Sequence, residues 1–387
     1  MGGWGDTGVA WSPSRERARQ MTDASVPPGF NTPIPASIMT PDRVETRVGT
    51  LEFTDGFPTA ETARRLYDHL DFMRAVEAFL TCVPAASLEA MRRGMAEIGV
   101  VACHQVGIVD DLLDSDPLFL TGNTDTVYAS AFLDLDRDGP TVVEVPPGCG
   151  PGTVNDAWFR FVVDMGRPGP DRGGGGRYLI VPTGYTGPVP DGHFVAETPS
   201  ATNWLILRGL LVDGKPDGAR DDFRNGLRIH PLALAAAPPA TEFIPMSGRS
   251  FNTIHANDAR FYDELAAVIE REPLGVIDTE TRGLLASIGI RKGTPFAPDA
   301  RMRAILTDAA AVANGTARAL AFETRDPGAR LFADRAWKTG FIGGDHRWLI
   351  DGGRGGRNLD ARTMFFYLAT VNTPAMVRKM VGLGSQY

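Results

Sequence analysis

Three polar side chains stand at the entrance to the first clear β-strand of the sequence. Asn123, Asp125 and Tyr128 lie within six residues, where an alternating segment begins. A loop at a strand end can present such groups into a cleft, with Asp125 and Tyr128 as acid or base and Asn123 as a substrate-binding group. Alternatively, Asp125 receives backbone N–H groups in an Asx turn and only shapes the chain.

A second group of candidate residues lies in the segment from Trp158 to Asp164. If this segment is a strand, alternation places Trp158, Arg160 and Asp164 on one face, and residues 159, 161 and 163 form a core face. An aromatic wall beside two opposite charges is what a polar ligand pocket needs, with Asp164 as a catalytic group and Trp158 and Arg160 binding the substrate. An Arg–Asp pair on a solvated sheet face explains the same pattern.

The segment from Ser247 to His255 concentrates hydroxyl, amide and imidazole groups before a predicted helix. His255 is a candidate general base, and Asn252 is a candidate substrate-binding residue. The alternative is that His255 makes ordinary hydrogen bonds and that its polar neighbours only build the turn.

Two glycine-rich segments flanked by arginine, residues 172–177 and 352–357, could bind an anion through backbone N–H groups. The second segment precedes a predicted helix, so Arg357, together with Arg362 inside that helix, is a candidate for pairing with a substrate carboxylate or phosphate. A flexible connection between strands is the alternative, and it is favoured for the first segment because a strand comes directly after it.

Periodicity predicts the elements that must position these groups. Thr59 caps an amphipathic helix, and Pro84 separates it from a second one, which together predict a helical hairpin. Short strands separated by proline and glycine turns continue up to residue 212, which predicts an antiparallel sheet or sandwich. Later helices are predicted with caps at Asn257 and Asp278 and with Pro298 in a first turn.

Composition limits the possible functions. Lys plus Arg number 39 and Asp plus Glu number 47, which gives a net charge of −8 and argues against nucleic acid or an anionic membrane as the main partner. The three cysteines do not form a zinc or disulfide pattern, and no metal site is predicted. Without a signal peptide or an apolar span, the default location is cytoplasmic. The sequence identifies neither a cofactor nor an oligomeric state.

Several segments together resemble the paired domain-of-unknown-function families numbered 1254 and 1214. The residues that carry the resemblance are Thr50–Gly56, Asn123–Tyr128, Leu133–Leu135, Ser247–Asp258, Gly289–Gly293 and Leu359–Arg362. The resemblance implies helices beside a β-rich body, followed by a second β domain. It brings no established reaction, and it implies that this chain lacks most of the C-terminal 1214-type domain. Relatives of this type are also exported, in contrast with the default location.

The predicted fold class is therefore α+β: an N-terminal helical hairpin beside an antiparallel β-sheet or sandwich, then a helical segment leading into a truncated second β domain. The expected boundaries are a disordered or surface tail at 1–40, a 1254-type domain at 41–245, a helical connection at 246–345 and an incomplete 1214-type domain at 346–387. Two functions stay open. One is an enzyme acting on a small polar or anionic organic molecule, and the other is a non-catalytic module binding a glycan or protein surface through Trp158, Trp204 or Tyr128.

Overall fold

The computed structural model describes residues 35–114, 116–119 and 122–370. The chain divides into two compact units, Met1–Leu66 and Tyr67–Tyr387. In the first unit, a small antiparallel sheet is followed by the start of a long helix. Thr59 caps that helix as predicted, since its hydroxyl accepts the backbone N–H of Thr62 at 3.2 Å.

Strands predominate between residues 100 and 245, and helices predominate after residue 259. Up to residue 165 the elements are β1 (Arg43–Thr46), β2 (Gly49–Thr54), β3 (Phe57–Pro58), α1 (Ala60–Glu97), β4 (Gln105–Val109), β5 (Thr126–Asp134), α2 (Leu135–Asp138), β6 (Thr141–Val145), β7 (Gly152–Asp156) and β8 (Phe161–Met165). After it they are β9 (Gly176–Pro182), β10 (His193–Thr198), β11 (Thr202–Leu210), α3 (Asp217–Gly226), β12 (Arg228–Pro231), β13 (Glu242–Pro245), α4 (Arg260–Arg271), α5 (Thr279–Ser287), α6 (Ala300–Phe322) and α7 (Leu359–Thr370).

Two sheets form the β-rich part of the second unit. The larger has the strand order β13-β4-β5-β11-β7-β8, and the smaller has the order β10-β9-β6-β12. Pairing is antiparallel except for β13 with β4 and β10 with β9. Alternation explains the packing of β5, because Val127, Ala129, Ala131 and Leu133 all face one apolar cluster. Side chains of both sheets meet in this cluster, including Val143 of β6 and Ile180 of β9.

The opposite face of the larger sheet packs on a helical layer. Tyr128, Phe132 and Trp204 project from this face into a core that they share with side chains of α1, α4, α5, α6 and α7. The mixture of helices with largely antiparallel sheets confirms the α+β class. Asp278 and Asp299 cap α5 and α6, because their carboxylates accept the N–H groups of Thr281 and Met302.

The predicted helical hairpin is wrong, because α1 runs without a break through Pro84. A proline inside a helix removes one hydrogen bond and crowds the preceding turn. Here the surrounding turns are buried: Val83, Ala85 and Ala86 are at most 3% exposed. We attribute the continuity of the helix to this burial, which outweighs the local preference of proline.

The predicted strand from Trp158 to Asp164 is also partly wrong. Residues 157–160 form a turn, β8 begins only at Phe161, and β7 before it was not predicted. Phe159 has a φ of 58°, a left-handed conformation that alternation cannot reveal. Phe161, predicted to face the core, is 49% exposed.

Asn257 is not the cap of α4, which begins at Arg260 without a side-chain cap. Its side-chain oxygen instead accepts a hydrogen bond from the amide of Asn314 in α6 at 2.9 Å.

Three further predictions concern the cysteines, a membrane span and the ends of the chain. Cys82, Cys103 and Cys149 are buried and unpaired, and burial raises the pKa of each thiol to about 12. None of the described helices combines the length and the apolar character that crossing a bilayer requires. The predicted tail falls mostly outside the described residues, and the predicted 1214-type segment extends past Thr370.

Candidate functional site

Strand register places four polar side chains on one face of the larger sheet. Tyr128 is the pairing partner of Arg208, and Thr153 is the partner of Asp164. Ile206, two residues from Arg208, pairs with Thr153, so all these side chains lie on the same side. We call Tyr128, Arg208, Thr153 and Asp164 the polar sheet face. Two strand spacings and two residues along a strand separate Arg208 from Asp164, which corresponds to about 12 Å between their Cα atoms.

Tyr128 anchors one end of the polar sheet face. Its ring is 1% exposed, and its hydroxyl oxygen accepts the backbone N–H of Asn123 at 3.2 Å. Burial raises the pKa of Tyr128, and the charge of Arg208 opposes that shift. The phenol therefore remains protonated at neutral pH.

Asn123 and Asp125 lie beside this phenol, at the entrance to β5. The side-chain oxygen of Asn123 accepts the N–H of Asp125 at 3.3 Å, and the carboxylate of Asp125 accepts the Thr126 hydroxyl at 3.4 Å. This is an Asx-type turn in which the side chain of Asn123, and not that of Asp125, accepts the backbone N–H group. Asp125 is nevertheless exposed, so its second carboxylate oxygen remains accessible at the edge of the site.

Arg208 is the residue of this site that the sequence did not indicate. Its guanidinium carbon lies 5.8 Å from the centroid of the Tyr128 ring, a cation–π distance. In the described part of the chain, no carboxylate lies within 4.0 Å of it, and its side chain is exposed. Only the pairing of β11 with β5 brings Arg208 next to Tyr128. The two residues are 80 positions apart in the sequence, so a local sequence pattern cannot predict their contact.

Asp164 provides the acidic group of the polar sheet face. Burial raises the pKa of this carboxyl, while a hydrogen bond from Thr153 and the charge of His346 oppose the shift. No lysine or arginine pairs with it among the described residues. A carboxylate with a raised pKa and no cationic partner is suited to accept a proton.

A cavity of about 440 Å³ adjoins Asn123. Phe341, Phe365 and Leu368 form much of its apolar wall. His346, in the same C-terminal part, packs edge-on against Phe161 of β8, with ring centroids 5.7 Å apart. An apolar wall therefore borders the Asn123 end of the polar sheet face, and the His346–Phe161 contact lies near its Asp164 end.

His255 lies in the helical core and not on the polar sheet face. Its ring packs edge-on against Phe79 and Phe261, with centroids 6.4 and 5.6 Å away. Nδ1 is 2.9 Å from the carbonyl oxygen of Ala256, whereas Nε2 is buried without a hydrogen-bond partner. Burial lowers the pKa of His255, so the ring is neutral near pH 7. No described contact joins it to Asp125 or Asp164.

Glu264 is a half-buried carboxyl close to His255 that the sequence did not single out. It accepts the N–H of Ala256 at 3.1 Å, and burial raises its pKa to about 7. Because the folded state favours the protonated form, this group contributes stability below its ordinary value of 4.5 and loses it as the pH rises through about 7.

We therefore expect Glu264→Gln to be more stable relative to the native chain at about pH 8 than at about pH 4. Urea unfolding at both pH values measures this difference, with Glu280→Gln, an exposed glutamate of α5, as the matched removal of one charge. A difference that does not change with pH would contradict the expectation.

Trp158 and Arg160 do not form the predicted polar wall. Trp158 is 8% exposed and belongs to the helical core. Arg160 is held by Asp156, whose carboxylate lies 2.6 Å from its Nε and also accepts the N–H groups of Trp158 and Arg160. This ion pair fixes the turn before β8.

The remaining substrate-binding candidates are dispersed. Asn252 closes a local turn, since its side chain accepts the N–H of Ile254 at 2.8 Å. Arg357 is exposed and donates to the carbonyl oxygen of Arg347. Arg362 is half-buried; its Nε and one terminal nitrogen are buried without partners, and desolvation lowers its pKa.

The glycine-rich segments do not form open anion cradles. In the second segment, the N–H groups of Gly355 and Gly356 bond to the carbonyls of Ile350 and Gly353. In the first, Gly174 and Gly175 bond to Asp171. Within the described ranges, no group of three His, Cys, Asp or Glu residues is arranged to hold a metal ion.

The residues of the polar sheet face lie within a segment of the chain that matches a known protein family. Residues 103–231 match the family described as "Protein of unknown function (DUF1254)". This range includes β5, β7, β8 and β11, which carry the polar sheet face. No functionally curated protein matches the chain.

The matches among solved structures include the following two. The crystal structure of the VPA0106 protein from Vibrio parahaemolyticus has a TM-score of 0.52 and 15% sequence identity, over 79% of this chain and 69% of that one. At this identity the similarity shows the fold alone. An uncharacterized protein from Burkholderia cenocepacia has a TM-score of 0.20 and 13% identity, over 47% of this chain and 52% of that one.

Proposed function

We propose that the polar sheet face binds a small anionic organic molecule and catalyses a proton transfer on it. The observation that supports this most is the pair formed by Arg208 and Asp164. Two opposite charges occupy one sheet face, neither has an ion-pair partner among the described residues, and about 12 Å separates their Cα atoms. That spacing leaves room for a small molecule between them.

Each group has a distinct role in this proposal. Arg208 pairs with a carboxylate or phosphate of the substrate, because its planar guanidinium forms paired hydrogen bonds with such groups. The buried Tyr128 ring supports the Arg208 guanidinium through their cation–π contact and so positions the anion-binding group. Asp164 takes the proton, because its raised pKa and the lack of a cationic partner suit it to act as the base. Asn123 and Asp125 line the entrance.

A library of small carboxylates and phosphate esters, tested by thermal shift and then by product analysis, provides the test. For a stabilising compound, we expect Arg208→Gln to remove the stabilisation, since it removes the anion partner. Asp164→Asn should keep binding and lower turnover by about 10²–10⁴-fold, the usual contribution of a general base.

Arg177→Gln is the matched control, because Arg177 is an exposed arginine of β9 in the smaller sheet. It should leave both binding and turnover unchanged. A stabilising compound whose effect survives Arg208→Gln would contradict the anion site, and full turnover by Asp164→Asn would contradict the role of the base.

The alternative, a module that binds glycans through aromatic side chains, is not favoured. Trp158, Trp204 and Tyr128 are 8%, 4% and 1% exposed, so their ring faces cannot stack on a sugar. Trp204 also donates its ring N–H to the Ser130 hydroxyl at 2.8 Å, which accounts for its polar group inside the core.

The second half of the family resemblance is also a proposal. The segment Leu359–Arg362, which begins α7, supports a 1214-type region in the C-terminal part of the chain. A crystal structure that describes residues 371–387 tests it. A β-strand in that range would support the pairing, and a helix continuing from α7 would contradict it.

A further inference from the structure

A second cavity lies between α4, α5 and the turn that joins them. Its volume is about 360 Å³, within the range of small-molecule sites. Most of its wall is aliphatic, with no aromatic ring: Ile269, Leu274, Val276, Ile277, Leu285 and Ile290. It shares no residue with the polar sheet face, so a ligand bound in this cavity would be independent of the proposed function.

The ionisable residues of this cavity are mostly cationic. Arg282, Arg291 and Lys292 line it, against the single carboxylate of Glu272. This local excess of two positive charges contrasts with the net charge of −8 for the whole chain. An anion would therefore be attracted to this cavity in an otherwise acidic protein.

The single carboxylate is already occupied. Glu272 is 2% exposed and accepts the backbone N–H groups of Ala201 and Thr202 at 2.8 and 3.1 Å. The ammonium group of Lys292 donates to the carbonyl oxygens of Glu270 and Glu272, at 2.6 and 3.0 Å. Glu272 therefore holds the backbone at the start of β11 and forms no ion pair with Arg282.

Arg282 retains unused hydrogen-bonding capacity. Its Nη2 donates to the Thr279 hydroxyl at 3.1 Å, but its Nε is buried without a partner. No carboxylate lies within 4.0 Å of this guanidinium in the described part of the protein. A buried donor left unpaired destabilises the protein, so an anionic acceptor at this position would be favourable.

We propose that this cavity binds an aliphatic monocarboxylate, with its carboxylate on Arg282 and its hydrocarbon chain against the aliphatic wall. The absence of aromatic rings from the wall favours a saturated chain over a planar ligand, which would gain stacking contacts elsewhere. One cationic head site beside an apolar wall fits a ligand with one charged end.

Calorimetric titration of the full chain with octanoate tests this proposal, with octanol as the uncharged probe of equal chain length. We expect saturable octanoate binding whose affinity falls about tenfold or more in Arg282→Gln, as for the loss of one charge-assisted hydrogen bond. Octanol binding should be little changed by that substitution. Ala286→Phe, which fills the cavity from α5, should weaken both ligands.

Two control variants separate this site from others. Arg303→Gln removes an exposed arginine of α6 and should leave octanoate binding unchanged. Asp164→Asn should also leave it unchanged, so that failure of the sheet-face function and failure of this proposal can be told apart. The proposal is overturned if octanoate does not bind the native chain at millimolar concentration, or if Arg282→Gln binds it as tightly as the native chain does. If Ala286→Phe fails to fold, Ala286→Leu gives the same comparison with a smaller side chain.

Discussion

Replacement of Gly94 by alanine is expected to destabilise the protein by about 3 kcal/mol or more. Gly94 lies in α1, where the segment containing Asn252 crosses the helix. A Cβ atom at this position would lie 2.7 Å from the carbonyl carbon of Asn252, and closer still to its oxygen. Hydrogen bonds between Leu118 and the backbone of Phe251 and Thr253 hold that segment in place, so it cannot move away easily.

Gly315→Ala is the matched control. Gly315 also lies within a helix, α6, but no neighbouring atom lies within 4 Å of the position that a Cβ would occupy there. Alanine should therefore stabilise this helix by about 0.5–1 kcal/mol through its higher helix propensity. Urea unfolding of the two variants measures the contrast. Equal stabilities for the two variants would contradict a steric conflict between a Cβ atom at position 94 and the backbone of Asn252.

Glu89→Gln is the second substitution with a large expected effect. Glu89 is 2% exposed, and its carboxylate contacts Arg92 at 2.9 Å, Arg93 at 2.7 Å and Arg271 at 2.7 Å. Removal of its charge leaves three clustered guanidinium groups without their shared anion. We expect a loss of about 3–5 kcal/mol in the free energy of unfolding, the range for breaking a buried ion pair.

The pH dependence provides a second test of the same residue. Burial alone would raise the pKa of Glu89, but hydrogen bonds from Arg92 and Arg271, together with their charges, lower it to about 2. Its stabilising contribution is therefore present above the ordinary value of 4.5 and is lost as the pH falls towards 2. The native chain should lose this contribution over that interval, and Glu89→Gln should not.

Glu61→Gln is the control for this second prediction. Glu61 pairs with Arg65 one turn along the same helix, but its side chain is 67% exposed. Exposed pairs contribute about 0–1 kcal/mol, so this variant should unfold almost as the native chain does. A similar loss in both variants would contradict the importance of burial at Glu89.

Much of the fold could be predicted from local pattern, and the exceptions have identifiable causes. The strand β5 and the caps at Thr59 and Asp278 follow from alternation and short-range hydrogen bonding, which the sequence contains directly. The continuous helix through Pro84 depends on burial by distant segments. The positive φ of Phe159 depends on the ion pair between Asp156 and Arg160, which fixes the turn that precedes β8. The first cause lies outside any short window of sequence, and the second, although local, does not follow from alternation.

Part of the candidate site could also be predicted from local sequence pattern. Asn123, Asp125 and Tyr128 are neighbours in sequence, so their proximity could be predicted, and Asp164 was found through its segment although the predicted strand boundary was wrong. Arg208 could not be found, because only strand pairing brings it to Tyr128. The residue type and polar neighbours of His255 predict a general base, whereas the structure surrounds it with aromatic side chains.

The register of β5, β11, β7 and β8 has a consequence for how this protein tolerates changes of length. Because the side chains of a strand alternate, insertion of one residue inside β11 would turn Arg208 or Ile206 towards the opposite apolar cluster. Insertions in the turns between strands would leave the pairing intact. Homologues that retain the same chemistry should therefore differ in the lengths of their loops. The number of residues within these four strands should stay the same.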